Sequence, residues 1–172
     1  DRWIRNRNNI LFVVNDATRP TPTSTILEVL SEYMDMKKAR FIIAGGTHRK
    51  PDRDELHFIF GSIYDRIESS HILFHDAYDY DNMINPGRTR FGTDVWVNRV
   101  VKEVDCIIPL GSVEPHYMGG FTGGRKFFVP GLAGYRTCEQ NHKLSMEPRA
   151  EALKLEGNPV HEDFISALNM IC

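Results

Sequence analysis

Three polar clusters carry residue types able to move a proton or hold a small anion: Asn15-Asp16-Ala17-Thr18-Arg19-Pro20, Gly45-Gly46-Thr47-His48-Arg49 and Ser112-Val113-Glu114-Pro115-His116. Histidine is the usual acid/base side chain near neutral pH. An arginine wedged between Thr18 and Pro20 suits the two-pronged recognition of a carboxylate. Each residue has a plainer reading: His48 caps a turn, Asp16 closes an Asx turn, Arg19 is a surface cation. Two histidines in equivalent places tilt the balance toward chemistry. His57, His71, His75 and His161 are read as structural or surface residues.

A fourth cluster, Gly119-Gly120-Phe121-Thr122-Gly123-Gly124-Arg125-Lys126, is a glycine loop followed by two cations. Gly123 and Gly124 let backbone approach a ligand closely, and Thr122 has a hydroxyl to offer an anion. A flexible loop is the alternative. The Lys126 amine beside Arg125 is a candidate nucleophile, since a neighbouring cation in a closed site lowers its pKa. His142 follows in a helix-like stretch, either as a packed histidine or as an imidazole ligand to a metal.

The elements that must position these groups alternate. Asn9–Val14 reads as a buried strand. A helix capped by Thr23 or Ser24 then runs to about Lys37, with Ile26, Leu27, Leu30, Tyr33 and Met34 as its stripe. Arg40–Ala44 is a second strand. A helix from Pro51 follows, with Asp52 and Asp54 at its positive end and Leu56, Ile59 and Phe60 inward. His71–Phe74 is a third strand, and His75–Gly92 a polar stretch with Asn85-Pro86-Gly87 as a turn. Thr93–Val97 alternates like a half-exposed strand, Arg99–Val104 is a short helix and Cys106–Leu110 a further strand. After the glycine-rich segment, Gly157-Asn158-Pro159 stops, caps and restarts a final helix, with Val160, Phe164, Leu168 and Ile171 on one face.

This alternation predicts an α/β fold of Rossmann-like type: a largely parallel sheet with helices on both faces, in a single domain. Parallel strands would bring the first three clusters to one sheet edge, where open α/β folds keep their ligand sites, and converge Asp16, Arg19, His48, Arg49, Glu114 and His116 on one crevice. Neither a Gly-x-Gly-x-x-Gly turn after a strand nor a Walker A loop is present.

Composition narrows the partners. The 172 residues carry 21 Lys and Arg against 23 Asp and Glu, a net charge of −2, which argues against nucleic acid. No apolar run approaches the roughly 18 residues needed to span a bilayer. Asp1-Arg2-Trp3-Ile4-Arg5 leads into a polar stretch rather than an apolar core, so no signal peptide is expected there. Three scattered cysteines point to free thiols and a cytoplasmic protein rather than a disulfide framework, with Cys106 buried in an apolar run.

Taken in order, Asp16-Ala17-Thr18-Arg19-Pro20-Thr21-Pro22, Gly46-Thr47-His48-Arg49, Glu114-Pro115-His116-Tyr117, Gly120-Phe121-Thr122-Gly123-Gly124-Arg125-Lys126 with Pro130-Gly131, Asn141-His142 and Gly157-Asn158-Pro159-Val160-His161-Glu162-Asp163 resemble the nickel-dependent lactate racemase family of 2-hydroxyacid racemases and epimerases. The resemblance covers nearly the whole chain from residue 9. It implies a nickel-pincer pyridinium mononucleotide joined covalently to Lys126, with His142 completing the nickel coordination. It assigns His48 and His116 as the acid/base pair, with hydride leaving the substrate α carbon and returning to the opposite face. Asp16, Thr18, Arg19, Thr122, Gly123 and Gly124 would surround the mononucleotide, Arg19 also orienting the substrate.

Family members are more than twice as long. Asp1 and Cys172 are therefore expected to be cut points, and the chain an N-terminal, cofactor-bearing domain whose C-terminal partner in the same polypeptide is missing. A small 2-hydroxy acid is the expected substrate, and cofactor-synthesis proteins are expected partners. Two other functions remain in view: a non-catalytic binding module for a phosphorylated or carboxylate ligand, and a cofactor-independent epimerase working with the two histidines.

Overall fold

The computed structural model describes residues 9–171; the Asp1–Arg5 opening and Cys172 lie outside the described residues. The first strand, β1 (Ile10–Val14), is buried along its whole length, as a run of apolar and β-branched residues at the centre of a parallel sheet should be. Helix α1 (Thr23–Ser31) crosses to β2 (Arg40–Ile43), and helix α2 (Arg53–Phe60) crosses to β3 (Ile72–Phe74). These strands lie in the order β3-β2-β1. After an antiparallel pair, β4 (Met83–Arg88) and β5 (Asp94–Asn98), the chain returns as β6 (Cys106–Leu110) on the other side of β1.

All four central strands are parallel, with Val14 level with Ile43 on one side and Leu110 on the other. The expected α/β fold is therefore what the chain adopts. The strand order reverses between β1 and β6, and at such a switch point the loops leaving the two carboxyl ends part to leave a crevice.

Helices α1 and α2 cover one face, burying Leu27, Ile59 and Phe60 against Phe12, Val14, Phe41 and Ile43. Phe12 stacks on Phe41 at 5.4 Å, and Phe60 meets Phe41 edge-on. The other face is a mixed layer. Leu11, Val13 and Ile42 pack with Val95 and Val97 of the β4–β5 pair, the glycine-rich segment and helix α4 (Pro159–Ile171), which inserts Val160, Phe164, Ala167 and Ile171.

The structure departs from the sequence reading in three places. Helix α1 ends at Ser31 rather than near Lys37, and Met36–Lys38 forms a separate turn capped by Asp35. Tyr33 is consequently 58% exposed instead of lining the core. No side chain caps α1, whose N-cap residue is Pro22. Asn85-Pro86-Gly87, expected to be a turn, lies inside β4, where the pairing with β5 slips between Ile84 and Gly87. A strand paired irregularly on one side tolerates a proline that a central strand would reject.

Candidate functional site

The crevice between the β1 and β6 loops is a cleft of about 730 Å³. Asp16, Arg19, His48, Glu114, His116, Thr122, Gly123, Lys126 and His142 all line it. Arg49 does not join them: its guanidinium is paired in two-pronged fashion with Glu55, at 2.8 Å on each prong, and points to solvent. That pairing follows from Glu55 standing at the third position of α2, where it completes a capping box with Asp52. Thr18 and Gly124 also stand outside the cleft wall.

Asp16 is both an Asx-turn residue and a member of the site. Its Oδ1 accepts from the Thr18 amide (3.2 Å) and hydroxyl (2.6 Å), which fixes the carboxylate. Its Oδ2 accepts from His48 Nδ1 at 2.5 Å. A carboxylate only accepts, so in the neutral ring the His48 proton sits on Nδ1 and Nε2 keeps a free lone pair. The His48 side chain is half exposed while Asp16 is nearly covered, the arrangement of a base held by a buried partner. The turn placing His48 closes from its amide to the Gly45 carbonyl, with Gly46 in the left-handed region at φ +58°.

His116 is held the other way round. Its Nδ1 accepts from the Gly119 amide at 3.1 Å, so the neutral ring carries its proton on Nε2. Burial, followed by the charges of Lys126, Arg19, His142 and Arg125, lowers its pKa to about 4. Its ring stacks on the exposed Tyr117. Lys126 stands on the turn Gly124–Phe127, and burial together with Arg19 and Arg125 brings its pKa down to about 8. Arg125 turns away to clamp the carbonyls of Gly119 and Phe121 at 2.9 and 3.0 Å, tying this turn to the His116 loop. Burial and Lys126 also lower the pKa of His142.

The Thr122 hydroxyl donates to the Ser112 carbonyl (3.1 Å) and accepts from the Glu114 amide (2.8 Å). Its proton thus goes to backbone rather than into the cleft, and Thr122 staples the β6 loop to the glycine segment. Gly123 is where a side chain would intrude, since a Cβ there would sit 2.8 Å from Val113. His75, read as structural, is fully buried between the Ala133 carbonyl and Asn98.

One wall was missed. Helix α3 (Tyr135–Lys143) contributes Tyr135, Cys138, Glu139 and Lys143 beside His142, and Met146 follows one turn on. Their spacing of three and four residues is the visible signal of one helical face.

No group of three or more His, Cys, Asp or Glu among the described residues could hold a metal ion by itself. Of the three cleft imidazoles, those of His48 and His116 are bonded to Asp16 and to the Gly119 amide, and His142 offers one more. A metal there would have to bring most of its donors with it, and Lys126 offers a depressed amine on the same wall to anchor such a carrier. The residues present therefore fit a metal carried by an organic group.

The site defines an α/β protein with a cationic cleft lined by three histidines at its topological switch point. The chain belongs to the lactate racemase N-terminal domain family, which residues 1–153 match. It is 32% identical over 169 residues to the lactate racemase of Lactiplantibacillus plantarum, and 32% identical over 167 residues to that of Thermoanaerobacterium thermosaccharolyticum. These alignments cover 95% and 94% of this chain but 39% of each relative, so the chain spans well under half their length. The lactate racemase apoprotein structure from the Thermoanaerobacterium species superposes with a TM-score of 0.86 at 32% identity, over 96% of this chain and 41% of that one. A Thermotoga maritima structure shares the fold at a TM-score of 0.79 and 21% identity, covering 99% and 45%. Among the described residues no helix is long and apolar enough to cross a membrane.

Proposed function

We propose that this chain is the cofactor-bearing domain of a cytoplasmic racemase or epimerase of a lactate-like 2-hydroxy acid, completed by a second domain in the same polypeptide. The supporting observation is the pair of histidines in one cleft, each fixed by a different partner, with Arg19 beside them. Inverting a carbinol carbon requires the hydroxyl to lose its proton while the α carbon loses hydride, and to regain it after the opposite face is presented. His48, with Nε2 unprotonated, is the base for one orientation. His116 serves the other once its Nδ1 gives up the Gly119 amide, since in the ligand-free chain that bond leaves the ring proton on Nε2; an anionic substrate would offset the cations that hold its basicity down. Arg19 receives the carboxylate and so fixes where the hydroxyl lies.

Lys126 and His142 would hold a nickel-pincer pyridinium mononucleotide, Lys126 through its amine and His142 through its imidazole. Bound there, that group would supply a reversible hydride acceptor for the substrate's α carbon. Asp16, Thr18, Thr122 and the Gly123-Gly124 turn shape the loops around it, and cofactor-synthesis proteins would supply it.

The test is chiral separation of products from the full-length protein, incubated with single enantiomers of a 2-hydroxyacid panel, alongside intact mass. The expected result is interconversion of at least one pair, an adduct on Lys126, and loss of turnover in His48→Ala and His116→Ala. Turnover undiminished in both histidine variants would overturn the reading. Turnover surviving Lys126→Ala would instead favour an epimerase working with the histidines alone.

A further inference from the structure

Helix α3 carries His142, and hydrogen bonds set its rotation about its own axis. One face, through Tyr135, Cys138, Glu139, His142 and Lys143, is cleft wall. The other is polar and buried. Thr137 Oγ1 donates to the Asp94 carbonyl (2.7 Å) and accepts from the Trp96 amide (2.8 Å), while Gln140 Oε1 accepts from the Asp94 amide (2.7 Å). Three backbone groups along β5 are thus met by helix side chains. One residue before His142, Asn141 Nδ2 donates to Asp163 Oδ2 at 2.8 Å and to the Val160 carbonyl at 3.3 Å.

Asp163 is 1% exposed and, among the described residues, accepts three hydrogen bonds, from Asn141, Thr89 (2.5 Å) and Thr93 (2.8 Å), none of them from a cation. It therefore joins the β4–β5 pair, α3 and α4. Apolar side chains at this junction would serve stability as well, because burying a carboxylate carries a desolvation cost. What apolar packing would not supply is direction. A carboxylate only accepts, so it admits Asn141 in one amide orientation, Nδ2 inward.

We infer that Asp163, acting through Asn141, is a positioning residue that fixes the rotation of α3 and hence the direction in which His142 enters the cleft. This rests on the reading of His142 as the chain's ligand to the bound cofactor. Sites of that kind need their groups held to about 0.5 Å, a tolerance that a directional bond meets better than a greasy contact does.

The experiment records the His142 ring signals in ¹H–¹³C spectra of the histidine-labelled chain at one pH, assigned with His142→Gln. Asp163→Asn and Asn141→Ala are compared with Thr93→Val, which removes a different donor to Asp163 and leaves its bonds to Asn141 and Thr89. Expected are shifted His142 signals in the first two, unshifted ones in Thr93→Val, and His75 signals constant throughout. In the loaded full-length protein the first two should lower kcat by about tenfold or more, with KM within about twofold. If Asp163→Asn fails to fold, Asn141→Ser takes its place. Equal displacement of His142 in Thr93→Val, or none in either of the first two variants, would overturn the inference. The ring signals need no turnover: displaced His142 signals in the two variants, with no racemisation by the unsubstituted full-length protein, would sink the racemase reading and leave the coupling of Asp163 to His142 standing.

Discussion

The Asp16 carboxylate accepts from Thr18 with one oxygen and from His48 with the other, so the loop that ends β1 also sets the tautomer of a side chain on the loop that ends β2. Replacing it by asparagine keeps the shape and inverts the chemistry. An amide nitrogen turned toward the ring would donate to Nδ1 and move the His48 proton to Nε2, where a base must be bare. Asp16→Asn in the full-length protein should therefore lower kcat by about 10²- to 10⁴-fold, the usual contribution of a general base. Steady-state kinetics with each enantiomer measure it, and a variant within threefold of wild type would sink the role. The pairing was illegible in the sequence because Asp16 and His48 are 32 residues apart and each had a local explanation. Arg49 was misread for the converse reason: adjacency to His48 placed it in the crevice, whereas Glu55, one turn into α2, claims it.

At the scale of elements, the four parallel strands and both crossover helices were legible because their apolar runs are short, β-branched and punctuated by glycine or proline. Strand β4 was not, since Asn85 Oδ1 accepts from the Gly87 amide and so carries a turn signal inside a bulged strand. Helix α3 gave little sign of its importance, because its buried anchors Thr137 and Asn141 are polar and periodicity reads them as outward. Asn158 was read as a cap, and it is more than that. Its Oδ1 accepts from the Val160 and His161 amides at 3.0 and 3.2 Å, while Nδ2 donates to the carbonyls of Met118, Glu151 and Lys154. It binds the start of α4 to the loop that follows His116. Asn158→Ala should destabilise the chain by about 2–4 kcal/mol, a lost cap plus buried carbonyls left without a donor. Urea unfolding checks this, and a change below about 0.5 kcal/mol would mean the loops repack around the gap.

For the molecule as a whole, a net charge of −2 conceals a cleft where Arg19 and Lys126 stand among His48, His116 and His142. Concentrating cations there costs stability in the ligand-free chain, and the cost depends on pH. His116 titrates near 4 in the folded chain against an ordinary 6.5, so unfolded chains take up a proton that the native state refuses. The stability this ring contributes is full above 6.5 and lost as pH falls toward 4. Lys126, brought to about 8 from 10.5, holds its charge at neutral pH and sheds it in the native state first as pH rises. Lys126→Met should therefore raise the melting temperature at pH 7, with an advantage that shrinks between pH 8 and 10.5. It should also raise the His116 midpoint, because the charge that, after burial, does most to hold that ring neutral is gone. Acylation of the amine would remove the same charge, so attaching a cofactor at Lys126 would free His116 to accept a proton nearer neutral pH. Thermal unfolding across pH and a ring titration of His116 by NMR test both halves. An unmoved His116 midpoint in Lys126→Met would break the electrostatic link between Lys126 and His116.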